Sequence, residues 1–318
     1  IGKIKPLDLI DQKNGPKFQD VFGQWIVDMA KQNEDLIAIT PAMREGSGLV
    51  KFSKEFPERF YDVAIAEQHS VTLAAGMACE EKKPVVAIYS TFLQRAYDQL
   101  IHDVALQNLD VLFAIDRAGL VGEDGPTHSG NYDLAYLRCI PNMIIAVPAD
   151  ENEARMLLTT TFNHNGPAAV RYPRGGGINA VINLELNSVE IGKGRVINSL
   201  DSDLLVLNFG TLIATSEEVA KELNASLLDM RFVKPLDKEL IAEYSKGKKA
   251  IITIEDGAIT GGAGSAVSEW AQENKIGAQI IICGIPDEFI DHSSREEMIE
   301  AVSLDKDGIL AKVRDFLS

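Results

Sequence analysis

Short apolar runs rich in valine and isoleucine alternate along this chain with longer segments of helical periodicity. Such alternation is typical of units in which a helix connects two parallel strands of one sheet. The chain has 318 residues, which is more than a single hydrophobic core usually supports, so we expect two domains. The sequence therefore predicts an α/β fold made of two doubly wound, mainly parallel-sheet domains.

The apolar runs form two series along the sequence. The first predicts strands at residues 36–40, 85–89, 111–115, 143–147 and 168–172, and the second at residues 204–208, 225–229, 250–254 and 279–283. Helical patterns lie near residues 213–224, 260–274 and 307–317. Consecutive glycines followed by weak periodicity separate the two series. We therefore predict a first domain over residues 1–180, a linker over 181–200 and a second domain over 201–318.

The charge balance limits the classes of partner. The chain carries 31 basic and 47 acidic residues, a net charge of −16, which opposes binding to nucleic acid or to an anionic membrane. No apolar run approaches the roughly 20 residues that span a bilayer, and the sequence begins with no signal or transit pattern, so we expect a cytoplasmic protein. Cys79, Cys139 and Cys283 lie far apart in apolar contexts, which predicts buried free thiols rather than disulfides or a metal cluster.

One loop combines an acid, a base, a cation and four glycines. It runs Arg117-Ala-Gly-Leu-Val-Gly-Glu-Asp-Gly-Pro-Thr-His-Ser-Gly130 and follows the predicted strand at residues 111–115. Open α/β sheets bind ligands at the carboxyl ends of their strands. Within the loop, His128 can exchange protons near neutral pH, and Asp124 lies four residues before it. Arg174 ends another predicted strand at the same edge, and two arginines at one edge indicate a phosphate.

Glu67 is a second candidate, because it lies in the largely apolar segment Ala64-Ile-Ala-Glu-Gln-His69. An ionised carboxylate in such a segment is costly without a partner, so we expect it to find a hydrogen-bonding group and to act as a working acid. The alternative is a carboxylate at a helix start that the first-turn amides stabilise. The spacing alone gives the two interpretations equal weight.

The segment after Tyr89 leaves a strand and begins a helix, which we expect Ser90 or Thr91 to cap. Phe92, in the first turn, could present its ring to a planar ligand, with Arg95 on the same face. Helical periodicity alone favours the alternative, in which Phe92 belongs to the core and Arg95 to the surface.

A glycine-rich segment runs from Glu255 to Ser265 and begins a helix, where anions can bind. Its spacing fits neither the phosphate-binding loop of nucleotide hydrolases nor the dinucleotide fingerprint, so we expect these glycines to serve packing. The sequence also lacks the nucleophile elbow and the paired-cysteine and histidine motifs of the commonest hydrolases and zinc sites.

The motifs above closely resemble the carboxyl-terminal half of the 1-deoxy-D-xylulose 5-phosphate synthase family, thiamine-diphosphate enzymes of the transketolase superfamily. The resemblance covers nearly nine-tenths of the chain and includes the segments 39–48, 64–69, 89–95, 117–130, 171–175 and 229–236. Transketolases share the core from Gly122 to His128, whereas the preceding segment 116–119 and the following segment 136–141 are similar to the synthases. The resemblance implies a pyrimidine-binding domain followed by the transketolase carboxyl-terminal domain.

The resemblance also implies roles for individual residues. Glu67 would hydrogen-bond the aminopyrimidine of thiamine diphosphate and favour the imino form that deprotonates the thiazolium. Phe92 would stack on the pyrimidine, with Ser47 and Gly48 also at the cofactor. The implied catalytic and substrate-binding residues are Glu67, Tyr89, Arg95, Arg117, Asp124, His128 and Arg174.

The implied reaction is the decarboxylation of pyruvate and the joining of its two-carbon unit to glyceraldehyde 3-phosphate. The product, 1-deoxy-D-xylulose 5-phosphate, begins non-mevalonate isoprenoid synthesis and supplies thiamine and pyridoxal precursors. Family members bind magnesium and the cofactor's diphosphate through an amino-terminal domain with a Gly-Asp-Gly motif, which this sequence lacks.

We therefore expect no metal ligands in this chain, and activity only with that domain, in a homodimer or in a complex with the missing half. Two alternatives remain. One is the β-type subunit of a split transketolase or two-oxoacid dehydrogenase, and the other is a non-catalytic assembly module.

Overall fold

The computed structural model describes residues 15–318, which form two sheets flanked by helices. The opening residues of the predicted first domain, 1–14, lie outside the described part. In the described residues both sheets are mainly parallel, which confirms the predicted fold class.

The first sheet has seven strands in the order β10-β5-β6-β4-β3-β1-β2. Its strands are β1 (Leu36–Thr40), β2 (Phe60–Asp62), β3 (Lys83–Tyr89), β4 (Leu112–Asp116), β5 (Ile144–Ala146), β6 (Ala168–Arg171) and β10 (Phe232–Lys234). β1 has β2 on one side and β3 on the other, so the direction of winding reverses there. Ligands of doubly wound sheets bind at the carboxyl edge near such a reversal.

The second sheet has five strands in the order β12-β11-β8-β9-β7. Its strands are β7 (Arg195–Asn198), β8 (Leu204–Phe209), β9 (Ser226–Asp229), β11 (Ala250–Ala258) and β12 (Gln279–Ile285). β7 is antiparallel to β9, whereas β8, β9, β11 and β12 pair in parallel.

Helices and short helical turns connect the strands. They are α1 (Phe18–Gln32), α2 (Val50–Glu55), α3 (Glu67–Cys79), α4 (Ser90–Leu93), α5 (Tyr97–Gln99), α6 (Asp133–Arg138), α7 (Glu151–Phe162), α8 (Ile213–Glu222), α9 (Lys238–Tyr244), α10 (Ala263–Glu273), α11 (Arg295–Ala301) and α12 (Lys306–Leu317). α1 illustrates why they form, since apolar residues recur every three or four positions along one buried face. On that face Trp25 donates a hydrogen bond to Thr159 Oγ1 of α7 at 3.0 Å.

The structure contains every strand that the sequence predicts, with shifts of a few residues at the ends. The additional strands β2, β7 and β10 are only three or four residues long. β7 lies within the segment predicted as a linker, and β10 pairs antiparallel with β5 of the first sheet although it follows β9 of the second. The domain boundaries themselves stay a prediction.

A single apolar cluster joins the two sheets. It contains Phe113 and Ile145 from the first sheet together with Leu207 and Ile251 from the second, all fully buried. Large hydrophobic interfaces hold domains in a fixed relation. The two sheets therefore pack as one body.

Two local expectations are wrong. Cys79 and Cys139 are exposed free thiols, and only Cys283 is buried. Cys79 and Cys139 lie at the ends of α3 and α6, beyond the residues that face the core.

The predicted cap of α4 is also wrong, because the residue before that helix is Tyr89 and no side chain caps it. The two hydroxyls that could cap α4 are engaged elsewhere. Ser90 Oγ donates to Asp133 at 3.0 Å, and Thr91 Oγ1 donates to the carbonyl of Thr127 at 3.1 Å. Over residues 15–318, no helix combines the length and apolarity needed to cross a membrane.

Glu153 connects the sheets through charge. Its carboxylate, whose side chain is 1% exposed, accepts hydrogen bonds from Arg231 at 2.7 and 2.9 Å and lies 2.9 Å from Arg195. Removing one member of a buried ion pair strands its partner charge.

We expect Glu153→Ala to lower the free energy of unfolding by roughly 1.5 to 3 kcal/mol, because Arg231 loses its hydrogen-bonded carboxylate while Arg195 keeps Asp229. Urea unfolding measures the change. The control is Glu218→Ala on the exposed face of α8, which we expect to change the free energy of unfolding by less than about 0.5 kcal/mol. Equal losses in the two variants would contradict the linking role of Glu153.

Candidate active site

The candidate site lies at the carboxyl edge of the first sheet. Tyr89 is the last residue of β3 and pairs with Asp116, the last residue of β4. Arg117 follows directly, and Arg174 comes three residues after the end of β6. Because neighbouring parallel strands end at the same edge, these side chains converge, as the sequence predicts.

Aromatic rings and one guanidinium form a continuous stack at this edge. The guanidinium carbon of Arg117 lies 4.1 Å from the centroid of the Tyr89 ring, and the Tyr89 and Phe92 rings stack at 5.5 Å with 17° between their planes. Phe92 in turn meets His128 edge to face at 5.5 Å. Phe92 is half-buried and packs against the core cluster, and the Arg95 side chain is 59% exposed. A ligand-facing role for Phe92 therefore stays a prediction.

Burial raises the pKa of Tyr89 above its ordinary value, although Arg117 opposes this shift. The phenol therefore stays protonated at neutral pH and can donate a hydrogen bond. A side chain at Gly46 would reach within 1.9 Å of the Tyr89 hydroxyl. Gly46 thus lets the segment before α2 cover this end of the stack.

Arg117 and Arg174 meet at a single carboxylate. Arg117 Nη1 donates to Asp124 Oδ2, and Arg174 Nε lies 3.6 Å from the same oxygen. Arg174 also donates to the Val121 carbonyl at 3.0 Å and pairs with Glu123 at 2.9 Å. Asp124 and Glu123 balance the charges of the two guanidinium groups, but the Glu123 side chain is 78% exposed, so a phosphate can compete with it for Arg174.

His128 is held in one orientation by its neighbour. Its Nδ1 lies 2.9 Å from the Thr127 hydroxyl. Nε2 is the ring nitrogen that does not face Thr127 and is left to contact a ligand. Asp124 and His128 thus lie on the same loop, with Arg117 contacting the first and Phe92 the second.

Glu67 begins α3, and its side chain is 5% exposed. Arg95 Nη1 donates to both of its carboxylate oxygens, at 3.2 and 3.3 Å. The carboxylate therefore has the partner that its apolar context requires. The structure brings Arg95 to Glu67, and the substrate-binding role of Arg95 stays a prediction.

Gly48 packs against the first turns of α1, and Ser47 precedes it in the chain. A side chain at Gly48 would come within 2.2 Å of the Gln19 carbonyl, and its backbone φ is 71°. Ser47 Oγ is buried, and no hydrogen-bond partner is found for it in the described part of the chain. A cofactor role for these two residues stays a prediction.

Sequence reasoning missed a buried cluster of three charges beneath the 117–130 loop. Arg171 Nε donates to Asp133 at 2.9 Å, and Arg171 Nη1 donates to Asp256 of the second sheet. Burial opposes the charge of Arg171, but the two carboxylates outweigh this effect and raise its pKa. Arg171 occurs in a motif that the sequence singles out, whereas no local pattern marks Asp133 or its connection to Asp256.

The glycine-rich segment of the second sheet serves packing, as the sequence favours. Glu255 accepts hydrogen bonds from the backbone amides of Ala263 and Gly264, both at 2.7 Å, at the start of α10. The Glu255 carboxyl group thus occupies the position where an external anion would bind. Burial raises the pKa of Glu255 to about 8. Within residues 15–318, no group of three or more His, Cys, Asp or Glu side chains is arranged to hold a metal ion.

Two family models match the chain. Residues 14–177 match the transketolase pyrimidine binding domain, and residues 192–309 match the transketolase C-terminal domain. The chain therefore belongs to the transketolase family.

The sequence is also similar to individual curated proteins. The chain is 58% identical over 322 residues to the 1-deoxy-D-xylulose-5-phosphate synthase of Cellvibrio japonicus, with 100% of this chain and 50% of that protein covered. It is 55% identical to the enzyme of the same name from Pseudomonas syringae pv. tomato, of which 51% is covered. The chain thus spans about half the length of the curated relatives it matches.

Solved structures share the fold. A chain described as a split gene transketolase, inactive beta4 tetramer, superposes with a TM-score of 0.84 at 28% identity, with 95% of this chain and 98% of that chain covered. Transketolase from Campylobacter jejuni subsp. jejuni has a TM-score of 0.76 at 18% identity, with 94% of this chain and 46% of that chain covered. At 18% identity, the similarity to the Campylobacter jejuni enzyme concerns the fold alone.

Asp116, at the carboxyl edge of the first sheet, should make the stability of the fold depend on pH. Its side chain is fully buried, Oδ1 accepts the Arg117 backbone amide at 2.6 Å, and no partner for Oδ2 is found in the described residues. Burial raises its pKa from 3.8 to about 7, although Arg117 opposes the shift. The folded state thus holds a proton that the unfolded state releases, so this group stabilises the fold fully below pH 3.8 and loses that effect as the pH rises through about 7.

We expect Asp116→Asn, which removes this titration, to flatten the fall of the thermal midpoint between about pH 4 and pH 7. Differential scanning calorimetry across that range measures the slope. Asp201→Asn at an exposed position is the control and should keep the slope of the unmodified protein. Identical slopes in all three proteins would show that Asp116 is ionised in the fold.

Proposed function

We propose that this chain supplies the pyrimidine-binding and acceptor-binding side of a thiamine-diphosphate enzyme. The reaction decarboxylates pyruvate and joins its two-carbon unit to glyceraldehyde 3-phosphate, giving 1-deoxy-D-xylulose 5-phosphate and carbon dioxide. The observation that carries the proposal is the meeting of Arg117 and Arg174 at Asp124 beside the Tyr89–Phe92 stack. The names of relatives 55–58% identical to this chain support the choice of reaction.

The residues fit the pyrimidine end of the cofactor. Phe92 is half-buried between Tyr89 and His128, and the exposed part of its ring would contact the pyrimidine. Glu67, at the start of α3, offers a carboxylate that is nearly buried. Water would therefore weaken its hydrogen bond to a pyrimidine nitrogen only slightly. Bound thiamine diphosphate supplies the electron sink for decarboxylation. Ser47 and Gly48 would also contact the cofactor.

The other side chains bind and orient the two substrates. Arg117 and Arg174 hold the phosphate of glyceraldehyde 3-phosphate, because two guanidinium groups offer paired donors to its oxygens. Tyr89 and Asp124 position the acceptor, and Arg95 orients pyruvate. As the new carbon–carbon bond forms, His128 Nε2 gives a proton to the acceptor's carbonyl oxygen.

The complete site needs a diphosphate-binding domain with magnesium ligands. We infer that this domain is joined to the chain covalently or supplied by a separate polypeptide, in a homodimer or larger complex, and that the enzyme works in the cytoplasm. The support is the twofold greater length of the curated relatives.

A second candidate function is the β-type subunit of a split transketolase. One observation favours it, since the chain covers 98% of the split gene transketolase chain at a TM-score of 0.84. The Glu67–Arg95 pair and the aromatic stack would serve either enzyme, so the products must decide between the two.

Product analysis tests the function. The complete enzyme, with this chain and its diphosphate-binding domain, is supplied with thiamine diphosphate, magnesium, pyruvate and glyceraldehyde 3-phosphate. We expect deoxyxylulose phosphate and carbon dioxide in equal amounts by mass spectrometry and gas analysis. Exchange of two-carbon units between ketose phosphates without decarboxylation would support the split transketolase instead, and no turnover of either kind would support an assembly module.

Arg174→Gln tests the phosphate site. We expect the KM for glyceraldehyde 3-phosphate to rise by about 10-fold to 100-fold, because charge-assisted hydrogen bonds to the phosphate are lost. The KM for pyruvate should not change, and unphosphorylated glyceraldehyde should react as before. Arg314→Gln, at an exposed arginine of α12, is the control. Equal losses with both aldehydes would rule out a phosphate contact for Arg174.

A further inference from the structure

The 117–130 loop is closed at its base by a short backbone bridge. The amide of Gly119 donates to the Gly130 carbonyl at 2.8 Å, and the amide of Gly130 donates to the Gly119 carbonyl at 2.8 Å. Arg117 lies two residues before this bridge and has a left-handed φ of 56°. The direction in which Arg117 leaves β4 is therefore tied to the position of the bridge.

Arg171 supports the bridge from below. Its side chain is 2% exposed, and Nη2 donates to the Gly130 carbonyl at 3.4 Å. Asp133 and Asp256 hold the rest of the guanidinium. One of these carboxylates follows the loop in sequence, and the other comes from the end of β11, 85 residues after Arg171.

Asp256 also contacts the bridge directly. A side chain at Gly119 would come within 2.8 Å of the Asp256 carbonyl oxygen and 3.1 Å of its carboxylate. Two residues later along β11, the Ala258 amide donates to the Asn131 carbonyl at 2.8 Å. The end of β11 therefore lies against both chain segments at the base of the loop.

The far end of the loop, at Gly122 and Gly125, contacts residues 292–295. A side chain at Gly125 would come within 3.0 Å of His292 Cβ, and one at Gly122 within 3.3 Å of the Arg295 amide. Residues 256–258 and 292–295 belong to the segment that matches the transketolase C-terminal domain, residues 192–309. That domain thus contacts the loop at both its base and its far end.

We propose that the C-terminal domain positions the 117–130 loop for the phosphorylated acceptor, and that Asp256 is a positioning residue that acts through Arg171. Asp256 holds the Arg171 guanidinium in place, and that guanidinium holds the Gly130 carbonyl. The Gly119–Gly130 bridge then sets the position of Arg117. Displacements near 1 Å in a site that orients reactants are enough to reduce rates by large factors. This inference rests on the proposed function.

Asp256→Asn in the complete enzyme tests it, because asparagine keeps the shape of the side chain and removes the charge. We expect the KM for glyceraldehyde 3-phosphate to rise about 10-fold or more, with the KM for pyruvate within about twofold of the unmodified value. Asp307→Asn, at an exposed position in the same domain, is the matched control and should leave both constants unchanged.

A second readout does not depend on activity. Amide hydrogen exchange of peptides covering 117–130 should be faster in Asp256→Asn, while peptides of β1 and β3 exchange as in the unmodified protein. If Asp256→Asn does not fold, Arg171→Lys serves instead, since lysine keeps the charge but lacks the fork that reaches Asp256 and Gly130 together. For Arg171→Lys we also expect a higher KM for glyceraldehyde 3-phosphate and faster amide exchange in residues 117–130.

The two proposals fail in different ways. An unchanged loop exchange rate, or equal rises in the two KM values, would overturn the positioning role of Asp256. If the unmodified enzyme forms no deoxyxylulose phosphate, the proposed function is wrong, whereas faster loop exchange in Asp256→Asn would still support the contact between the domain and the loop.

Discussion

The structure depends above all on the buried contact of Arg171 with Asp133 and Asp256. A guanidinium with 2% exposure is tolerable only because two carboxylates and a backbone carbonyl satisfy it. The same three side chains join the end of β6, the start of α6 and the end of β11. One interaction therefore fixes the edge of the first sheet, the base of the 117–130 loop and the position of the second sheet.

The candidate site follows from that constraint. Parallel strands place Tyr89 and Arg117 at one edge, where the loop brings Asp124 to Arg117 and His128 to Phe92. The apolar cluster that both sheets share prevents the second sheet from moving away. In the proposed function, the arginines and the acid form a prearranged acceptor pocket beside the aromatic stack, and Glu67 contacts the cofactor.

Much of the fold could be predicted from sequence because β8 and β11 are continuous apolar runs that must be buried. The 117–130 loop could be found because its chemistry is contiguous. β10 could not, since three residues carry no periodicity and this strand pairs with β5 of the first sheet although it follows β9 of the second in sequence. The pairing of Arg171 with Asp256 was equally hidden, because only the tertiary fold brings together residues 85 positions apart.

The most direct measurement is a double-mutant cycle between Asp256→Asn and Arg117→Gln, read as kcat/KM for glyceraldehyde 3-phosphate in the complete enzyme. If Asp256 sets the position of Arg117, the second substitution should cost less once the first is present, with a coupling energy above about 0.5 kcal/mol. Losses that add to within that value would mean that the two residues act independently, and would contradict a loop held by the C-terminal domain.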